Sequence, residues 1–216
     1  MVIPREVKKR AKVNSWSKEI RNIKKTLVLA REEKQILIGT LLGDGSLSPN
    51  ISRTNFRLEM IQSDKQKSYL DWKAEIFRFW CLAQPHFHSK TKSWRLKTVS
   101  HPELSFYHSL FYKNGRKIVP DSIAKLLCST LSLAVWFMDD GTKGPQKGYT
   151  LNSQNFSYSD NKILADILRR NFGLKQVSIH RDRKYYRLYI GTGSAAEFTA
   201  LVRPHIIPVM FYKLHS

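Results

Sequence analysis

Two aspartates, Asp44 and Asp140, stand at positions where they could carry out chemistry together. Asp44 ends the run LIGTLLGD and Asp140 ends the run LAVWFMDD, and a glycine follows each of them. Helices of apolar and small residues can pack side by side in a protein core, and their ends would then bring the two carboxylates together. Carboxylate oxygens are ligands that suit Mg²⁺. A cation held over a phosphodiester would activate water and stabilise the leaving oxygen.

Two acidic residues at helix C-termini lower the stability of the fold, so stability alone does not explain their presence. A helix C-terminus disfavours negative charge, and two close carboxylates repel, which raises one of their pKa values. A divalent cation would relieve this cost. The alternative is that Asp-Gly is only the turn chemistry that ends a helix. Two such helix ends in one strongly basic chain favour the metal interpretation.

The elements that must position these aspartates follow the same order twice: a helix, a strand, a second helix, a hairpin and a third helix. Asp44 and Asp140 lie 96 positions apart, and Lys117 and Lys213 each follow their aspartate by 73 positions. The matched order and spacing indicate a duplicated α+β unit.

Hydrophobic periodicity places these elements along the chain. In the first half it predicts helix over 19–35, strand over 55–62, helix over 64–83, a hairpin of 85–90 with 93–100, and helix over 103–112. In the second half it predicts strand over 148–157, helix over 159–172, a hairpin of 175–183 with 184–193, and helix over 194–206. Ser159 is the predicted N-cap of its helix, and Gly173 the predicted stop.

Charge is the strongest global feature of the chain. Its 37 Lys and Arg residues against 17 Asp and Glu give a net charge of +20. The basic residues are spread along the chain and interleaved with aromatic ones, which suits a surface laid along a nucleic acid with release of counterions. A ribosomal-type protein or a solubilising surface is the alternative. Charge alone does not separate DNA from RNA.

Composition excludes several classes of protein. The chain is 42% hydrophobic, which is too apolar for a disordered protein. No run approaches the roughly 18 apolar residues of a membrane span, and the basic N-terminus lacks the apolar region of a secretory signal. Cys81 and Cys128 have no metal-ligand spacing, so we expect reduced core thiols. We therefore expect an intracellular protein of an organelle (mitochondrion or plastid) or of the bacterial cytoplasm.

The segments LIGTLLGDG (37–45) and LAVWFMDDG (133–141) resemble the two copies of the nine-residue signature of LAGLIDADG homing endonucleases. LNSQNFS and the C-terminal IIPVMFYKL resemble the monomeric, two-motif branch, to which the mitochondrial omega-intron endonuclease belongs. The resemblance covers roughly residues 34–214. It departs from the signature at Val135, where the third position is usually Gly, and at Asp139 in the seventh position.

This resemblance implies an α+β fold of two pseudo-symmetric LAGLIDADG repeats, each αββαββα-like, that form a β-saddle with a central two-helix interface. We expect a basic arm over 1–33, a first repeat over 34–128 and a second repeat over 129–216. The implied function is site-specific cleavage of double-stranded DNA by metal-dependent phosphodiester hydrolysis on a long site, with short 3′ overhangs and a role in intron homing. The implied cofactor is Mg²⁺, for which Mn²⁺ can substitute, and the implied state is a monomer without membrane contact.

The resemblance also assigns the metal ligands. The eighth motif position binds metal in this family, and that position is Asp44 in the first copy and Asp140 in the second. The backbone of Gly43 and of Asp139 would add ligands. Because Asp139 precedes Asp140, the identity of the second acid is open. Gly141 after Asp140 and the equal spacing to the lysines favour Asp140.

Four further residues match family positions near the reacting phosphates. Lys117 and Lys213 match lysines that would neutralise charge and position water, and the alternative is two solvated lysines. Gln62 and Gln154, each placed on the first predicted strand of its half, match a polar residue that orients the nucleophilic water. They could equally contact DNA.

The DNA readers should be polar side chains on the strands, since Arg and Lys pair with guanine edges and Asn with adenine. Strand alternation places only about half of any strand's side chains on the DNA face. The candidates are Arg53, Asn55, Arg57, Glu59, His86, His88, Lys90, Arg95, Lys97, Lys147, Tyr149, Asn152, His180, Arg181, Arg183, Tyr185 and Arg187.

Two other functions fit the same fold. One is an RNA maturase that assists splicing of an intron RNA, and the other is a DNA-binding regulator that does not cut. The presence of both acids and both lysines favours cleavage, because neither alternative needs them.

Overall fold

The computed structural model describes residues 17–215, so residues 1–16 of the expected basic arm, with Ser216, lie outside the described residues. The chain forms two compact units. The first unit contains residues 17–33 and 45–108, and the second contains 34–44 and 109–215. The division into an arm and two repeats at 33/34 and 128/129 stays a prediction. None of the helices described over 17–215 has the length and apolar character to cross a membrane.

The helices and strands follow in chain order. The helices are α1 (Lys18–Thr26), α2 (Arg31–Leu42), α3 (Lys67–Ile76), α4 (Pro102–Phe111), α5 (Ile123–Leu126), α6 (Thr130–Asp140), α7 (Tyr158–Phe172) and α8 (Thr192–Val202). The strands are β1 (Ser46–Pro49), β2 (Phe56–Ser63), β3 (His86–His88), β4 (Ser93–Lys97), β5 (Tyr112–Lys113), β6 (Arg116–Lys117), β7 (Gly141–Lys143), β8 (Tyr149–Leu151), β9 (Val177–Asp182) and β10 (Tyr185–Ile190).

Each unit contains a four-stranded antiparallel sheet, and both sheets have the same topology. The strand orders are β1-β2-β4-β3 and β7-β8-β10-β9. The registers also correspond, because His86 pairs with Arg95 in the first sheet and His180 pairs with Arg187 in the second. With the helices α2, α3 and α4, and then α6, α7 and α8, the order along the chain is αββαββα twice. The predicted α+β duplication is therefore confirmed.

Alternation along the strands gives each sheet one buried and one open face. On β2, Leu58 and Met60 are buried, while Arg57 and Glu59 point to the opposite, partly exposed side. On β10, Leu188 and Ile190 are buried, whereas Arg187 lies on the other side. The apolar periodicity that predicted these strands is the pattern that packs one face of each sheet against helices.

Several predicted elements differ from the observed ones in their bounds, among them the helix predicted over 64–83, which is Lys67–Ile76. The helix predicted over 19–35 is two helices, since Leu27 is extended and the Leu29 N–H donates to the Glu103 carboxylate at 2.9 Å. The strand predicted over 148–157 ends at Leu151. The helix predicted from Ser159 is capped instead by Ser157, which forms a capping box with Asp160.

Two smaller predictions from sequence have opposite outcomes. Gly173 ends α7 in the left-handed conformation, with φ of 72°, as predicted. Cys81 is buried, but Cys128 is exposed, so its prediction as a core thiol is wrong. It follows Leu127 in the loop between α5 and α6, where the chain is at the surface.

The two helices that carry the signature, α2 and α6 (the first and second motif helices), approach each other closely in the second unit. A Cβ atom on Gly39 would lie 2.4 Å from the Ser132 carbonyl oxygen and 2.7 Å from the Val135 Cβ. The Ser132 hydroxyl donates to the Gln35 carbonyl at 2.8 Å across the same contact. Gly39 thus provides the space that Val135 occupies, which explains how the second copy accommodates a larger third residue.

We predict that Gly39→Ala lowers the free energy of unfolding by about 1–3 kcal/mol, because the added methyl group would collide with backbone atoms that cannot rotate away. Chemical denaturation followed by circular dichroism measures this. The control is Thr40→Val at the next residue, whose buried hydroxyl has no hydrogen-bond partner within the described part of the chain. That change keeps the volume and should not reduce stability. Equal stability of Gly39→Ala and the wild type would contradict the close helix contact.

Candidate active site at the ends of the motif helices

Both signature aspartates lie at the C-terminal ends of the motif helices in the second unit. The first motif helix ends at Leu42, and Asp44 follows in a turn. The second motif helix continues through Asp140. Asn152 fixes this helix end, because its backbone N–H and its side-chain amide both donate to the Asp140 carbonyl, at 3.0 and 2.8 Å. The close packing of the two helices at Gly39 and Gly43 places their C-terminal ends, and with them the two carboxylates, side by side.

The carboxylates influence each other electrostatically. Burial, and then the negative charges of Asp44 and Asp139, raise the pKa of Asp140 from 3.8 to about 7, although Lys117 and Lys213 act in the opposite direction. Near neutral pH and without a bound cation, Asp140 is therefore close to half protonated. The sequence-based expectation that two close carboxylates raise one pKa agrees with this.

The two predicted lysines occupy corresponding positions at the two helix ends. The Lys117 ammonium group donates to the Gly43 carbonyl at 3.0 Å. The Lys213 ammonium group is buried and donates to the carbonyls of Met138 and Asp139, at 2.5 and 3.0 Å. Burial lowers the pKa of Lys117, and the negative charges of Asp140, Asp139 and Asp44 partly oppose this. The structure thus brings both lysines to the carboxylates, as the equal spacing of 73 residues indicates.

The structure distinguishes the environments of the adjacent acids Asp139 and Asp140. Asp139 is 8% exposed, and a Cβ on Gly43 would lie 2.4 Å from its Cβ, so Asp139 packs against the first motif helix. Asp140 is less buried by accessible surface. This difference supports Asp140 as the acid that faces a ligand and Asp139 as a packed neighbour that adds negative charge.

The donor set at the helix ends fits a divalent cation. Asp44 and Asp140 provide hard carboxylate oxygens. Burial and then the charges of Asp44 and Asp139 raise the pKa of Asp140, and the two lysines oppose this only in part. The carbonyls of Gly43 and Asp139 accept hydrogen bonds from lysines, but a carbonyl oxygen has two lone pairs. Within residues 17–215 no three His, Cys, Asp or Glu side chains could hold a metal ion together. Remaining ligands would therefore come from water or from substrate phosphates.

The two predicted glutamines lie in different settings. Gln62 belongs to the first unit, where it is 4% exposed on the buried face of β2. Gln154 lies in the second unit, in a turn after β8 rather than on a strand, and its amide donates to the Asp182 carboxylate at 3.3 Å. The predicted strand position is therefore wrong for Gln154, whereas Gln62 lies on a strand, β2, which is the second of its half because β1 precedes it. Their catalytic roles stay predictions.

The open face of the first sheet collects most of its predicted DNA readers. The strand registers place Arg57, Glu59, His86, His88, Arg95 and Lys97 on that one face. Burial raises the pKa of Glu59, but hydrogen bonds from Ser48, Lys97 and Arg57 outweigh it and lower that pKa overall. Glu59 therefore stays ionised and orders two basic side chains, with ion-pair distances of 3.1 Å to Arg57 and 3.0 Å to Lys97. Three other candidates lie in loops or turns rather than on the sheet face: Arg53, Asn55 and Lys90.

The second sheet supports fewer of the predicted readers. His180, Tyr185 and Arg187 lie on its open face. Arg181 has the opposite side-chain parity and donates to the Arg183 carbonyl at 2.9 Å in the hairpin turn. Lys147 lies in a short 3₁₀ turn.

Two of the predicted DNA readers of the second half, Tyr149 and Asn152, do not lie on the open face of the sheet. Tyr149 has no exposed surface, packs against Phe137 and Phe198, and shares a hydrogen bond of 2.7 Å with Thr199. It faces the helices because β8 presents alternate residues to the core, so its prediction as a DNA reader is wrong. The Asn152 side-chain amide donates to the Asp140 carbonyl at 2.8 Å, at the end of the second motif helix. Its role as a DNA reader stays a prediction.

Comparison with known proteins assigns the family. The model of the LAGLIDADG DNA endonuclease family matches residues 34–198. The chain is 30% identical over 212 residues to Probable intron-encoded endonuclease 1 of Wickerhamomyces canadensis, which covers 92% of this chain and 90% of that protein. It is 27% identical over 198 residues to Cytochrome b mRNA maturase bI2 of Debaryomyces hansenii, over 86% of this chain and 74% of that protein. Curated RecA proteins of two Mycolicibacterium species also match, and the chain spans 47% of their length.

Among solved structures, the chain is similar to the homing endonuclease I-WcaI bound to its DNA recognition sequence. The TM-score is 0.87 at 27% identity, over 96% of this chain and 97% of that chain. Two αββαββα repeats with paired carboxylates at two packed helices define a protein of the LAGLIDADG class. The chain belongs to the LAGLIDADG DNA endonuclease family, and the fold and endonuclease class predicted from the sequence are confirmed.

We predict that Asp140→Asn stabilises the protein without divalent cations, by a margin that grows with pH. A carboxyl group whose pKa is raised by folding contributes stability below its unfolded pKa, near 4, and loses it as pH rises through about 7. The wild type should therefore become less stable between pH 5 and pH 8, and the variant should not share that part of the loss. The expected difference at pH 8 is on the order of 2 kcal/mol after solvent screening.

Thermal unfolding in EDTA at both pH values measures this difference. Asp121→Asn, at an exposed aspartate, is the control and should shift stability equally at the two values. Adding Mg²⁺ at pH 8 should stabilise the wild type more than Asp140→Asn. A variant that loses stability relative to the wild type as pH rises would contradict the electrostatic description.

Proposed function

We propose that this chain cuts both strands of a specific double-stranded DNA site by hydrolysing one phosphodiester in each strand, leaving short 3′ overhangs. The observation that carries the proposal is the juxtaposition of Asp44, Asp140, Lys117 and Lys213 at the ends of the motif helices in the second unit. Negative charge at helix C-termini lowers stability, so the presence of Asp44 and Asp140 at these two helix ends is better explained by chemistry.

Double-stranded DNA is the partner that we propose. The open sheet faces carry Arg57, Arg95, Lys97 and Arg187 on paired strands, in a chain of net charge +20. The similar protein I-WcaI is bound to its DNA recognition sequence. Arginines and lysines on a sheet can both position phosphates and read base edges. The roles of individual readers stay proposals.

The residues at the helix ends have distinct roles in this mechanism. Asp44 and Asp140 would hold Mg²⁺, with Mn²⁺ as a substitute, and the bound ion would supply Lewis-acid activation of water and charge stabilisation at the phosphate. Asp140 must lose its proton to do so, which the pKa of about 7 permits near neutral pH. Lys117 and Lys213, held by helix-end carbonyls, would face the negative charge that builds up on the phosphates. Gln154, in the same unit, would orient water, and the corresponding role of Gln62 in the first unit stays a prediction.

We predict that Asp44→Asn and Asp140→Asn each abolish double-strand cleavage while DNA binding is retained. Asn keeps the shape but removes the ionised oxygens that a cation needs. Cleavage of a randomised duplex library in Mg²⁺, read by sequencing of the ends, measures activity and reveals the site. Asp121→Asn is the matched control and should cut normally. Tight binding by the wild type with no cleavage in Mg²⁺ or Mn²⁺ would refute the proposed function.

A second prediction concerns the lysines. Lys117→Met should reduce the single-turnover cleavage rate by about 10²-fold with little effect on DNA affinity, because a positioned donor acts on charge that develops during the reaction. Lys213→Met should lose the rate and also stability, since two buried carbonyls would lose their donor. Lys113→Met, at an exposed lysine of the same short ladder, is the control and should keep the wild-type rate. Equal rates for Lys117→Met and Lys113→Met would exclude a role for Lys117.

An intron RNA maturase is the second candidate function, and the similarity to Cytochrome b mRNA maturase bI2 favours it. Both activities could reside in one chain, because RNA binding does not need the carboxylates. Splicing of the host intron with and without the protein separates them. Asp140→Asn should retain a maturase activity and lose cleavage. A monomer is the oligomeric state that we propose, because one chain carries both four-stranded sheets. The organelle or bacterial compartment stays a prediction.

A further inference from the structure

A basic groove of about 490 Å³ lies in the first unit beside the open face of its sheet. Arg21 and Lys24 of α1 line one part of it, and Arg57, His86 and Lys97 of the sheet line another. No acidic side chain among the described residues lines the groove. None of the predicted DNA readers lies on α1, which precedes the residues that match the family model.

Helix α1 is fixed to the first unit in a defined orientation. Ile20 is 1% exposed and anchors one side of the helix. The Lys24 ammonium group donates to the Ser100 hydroxyl at 3.3 Å. The His101 ring accepts the Glu103 N–H at Nδ1, so Nε2 carries the proton and donates to the Lys24 carbonyl at 2.9 Å. These contacts hold Arg21 and Lys24 toward the groove, whereas Lys18 and Lys25 are exposed on the same helix and do not line it.

The charge of the groove favours an anion. Glu59 forms ion pairs with Arg57 and Lys97, so it offsets one of their two charges. Arg21 and Lys24 have no acidic partner among the ion pairs described. Burial lowers the pKa of Lys24, and a bound anion would act in the opposite direction by favouring the charged ammonium group. The lining also contains apolar side chains such as Ile51 and Leu82, but its charged members are all basic and serine, threonine and asparagine side chains accompany them. Such basic and polar groups are those that bind phosphate oxygens.

We propose that α1 is a DNA-backbone clamp: Arg21 and Lys24 bind phosphates of the same duplex that the open sheet face binds, through the groove they share with Arg57 and Lys97. The inference rests on double-stranded DNA as the partner in the proposed function. Arg57, His86 and Lys97 belong both to the groove and to the open face, so a strand lying on that face continues into the groove. The contact is to phosphate and therefore adds affinity at any sequence.

The test is the salt dependence of DNA binding, measured by fluorescence anisotropy on a mixed-sequence duplex in EDTA, where cleavage does not interfere. Loss of two phosphate contacts should reduce the slope of log K against log salt by about 1.8, and loss of one contact by about 0.9. The variants are Arg21→Gln/Lys24→Gln and Arg21→Gln alone. Gln is a good helix former, and circular dichroism checks that the variants are folded. Lys18→Gln/Lys25→Gln removes the same charge from the same helix outside the groove and is the matched control.

A slope reduced for both Arg21 variants, and reduced by less than half as much for the control, would support the clamp. Equal slopes for the two double variants would overturn it, because only diffuse charge would then matter. Arg21→Gln retains the Lys24 contacts, so its slope decides the question even where the double variant fails to fold. Wild-type protein that binds the duplex but does not cut DNA in Mg²⁺ would refute the proposed function and leave the clamp standing. Wild type that does not bind would overturn both.

Discussion

The close approach of the two motif helices is the constraint on which the candidate site depends. Gly39 and Gly43 lie four residues apart on one face of the first motif helix, and side chains there would collide with Ser132, Val135 and Asp139. Only because this face is bare can the helix ends bring Asp44 and Asp140 close enough for one charge to alter the pKa of the other. The glycines of the signature thus determine chemistry through packing rather than through direct contact.

That packing creates an electrostatic problem, and the surrounding residues relieve it only in part. Helix C-termini present carbonyl oxygens and disfavour anions. Here they also carry the carboxylates of Asp44, Asp139 and Asp140. Lys117 and Lys213 bind those carbonyls and carry positive charge to the same place. Even so, burial and then the negative charges of Asp44 and Asp139 keep the pKa of Asp140 raised to about 7, because the lysines oppose these effects only in part. A site balanced in this way binds a cation more readily than a site that its own lysines had neutralised.

The repeat, the motif helices, the paired acids and the lysines could be predicted from the sequence, because they depend on spacing and on apolar patterns that are visible in the order of residues. The sequence did not predict features set by contacts between distant residues. Tyr149 reads as a polar aromatic on a strand, yet its strand turns that side chain toward Phe137 and Phe198. Asn152 reads as a DNA reader, but the hydrogen bonds to the Asp140 carbonyl are visible only in three dimensions.

The two halves of the site are related by sequence but are not equivalent in their surroundings. The first copy places Gly43 before its aspartate, and the second places Asp139 there. Since Asp139 packs onto Gly43, the small residue of one copy creates the space for the larger, charged residue of the other. A duplicated fold within one chain allows such complementary changes, which a symmetric pair of identical subunits could not make independently. Asp140 consequently has a buried acidic neighbour, Asp139, where the two motif helices pack, whereas Asp44 lies in an exposed turn. The two carboxylates therefore hold the same position in the repeat but have different electrostatic surroundings.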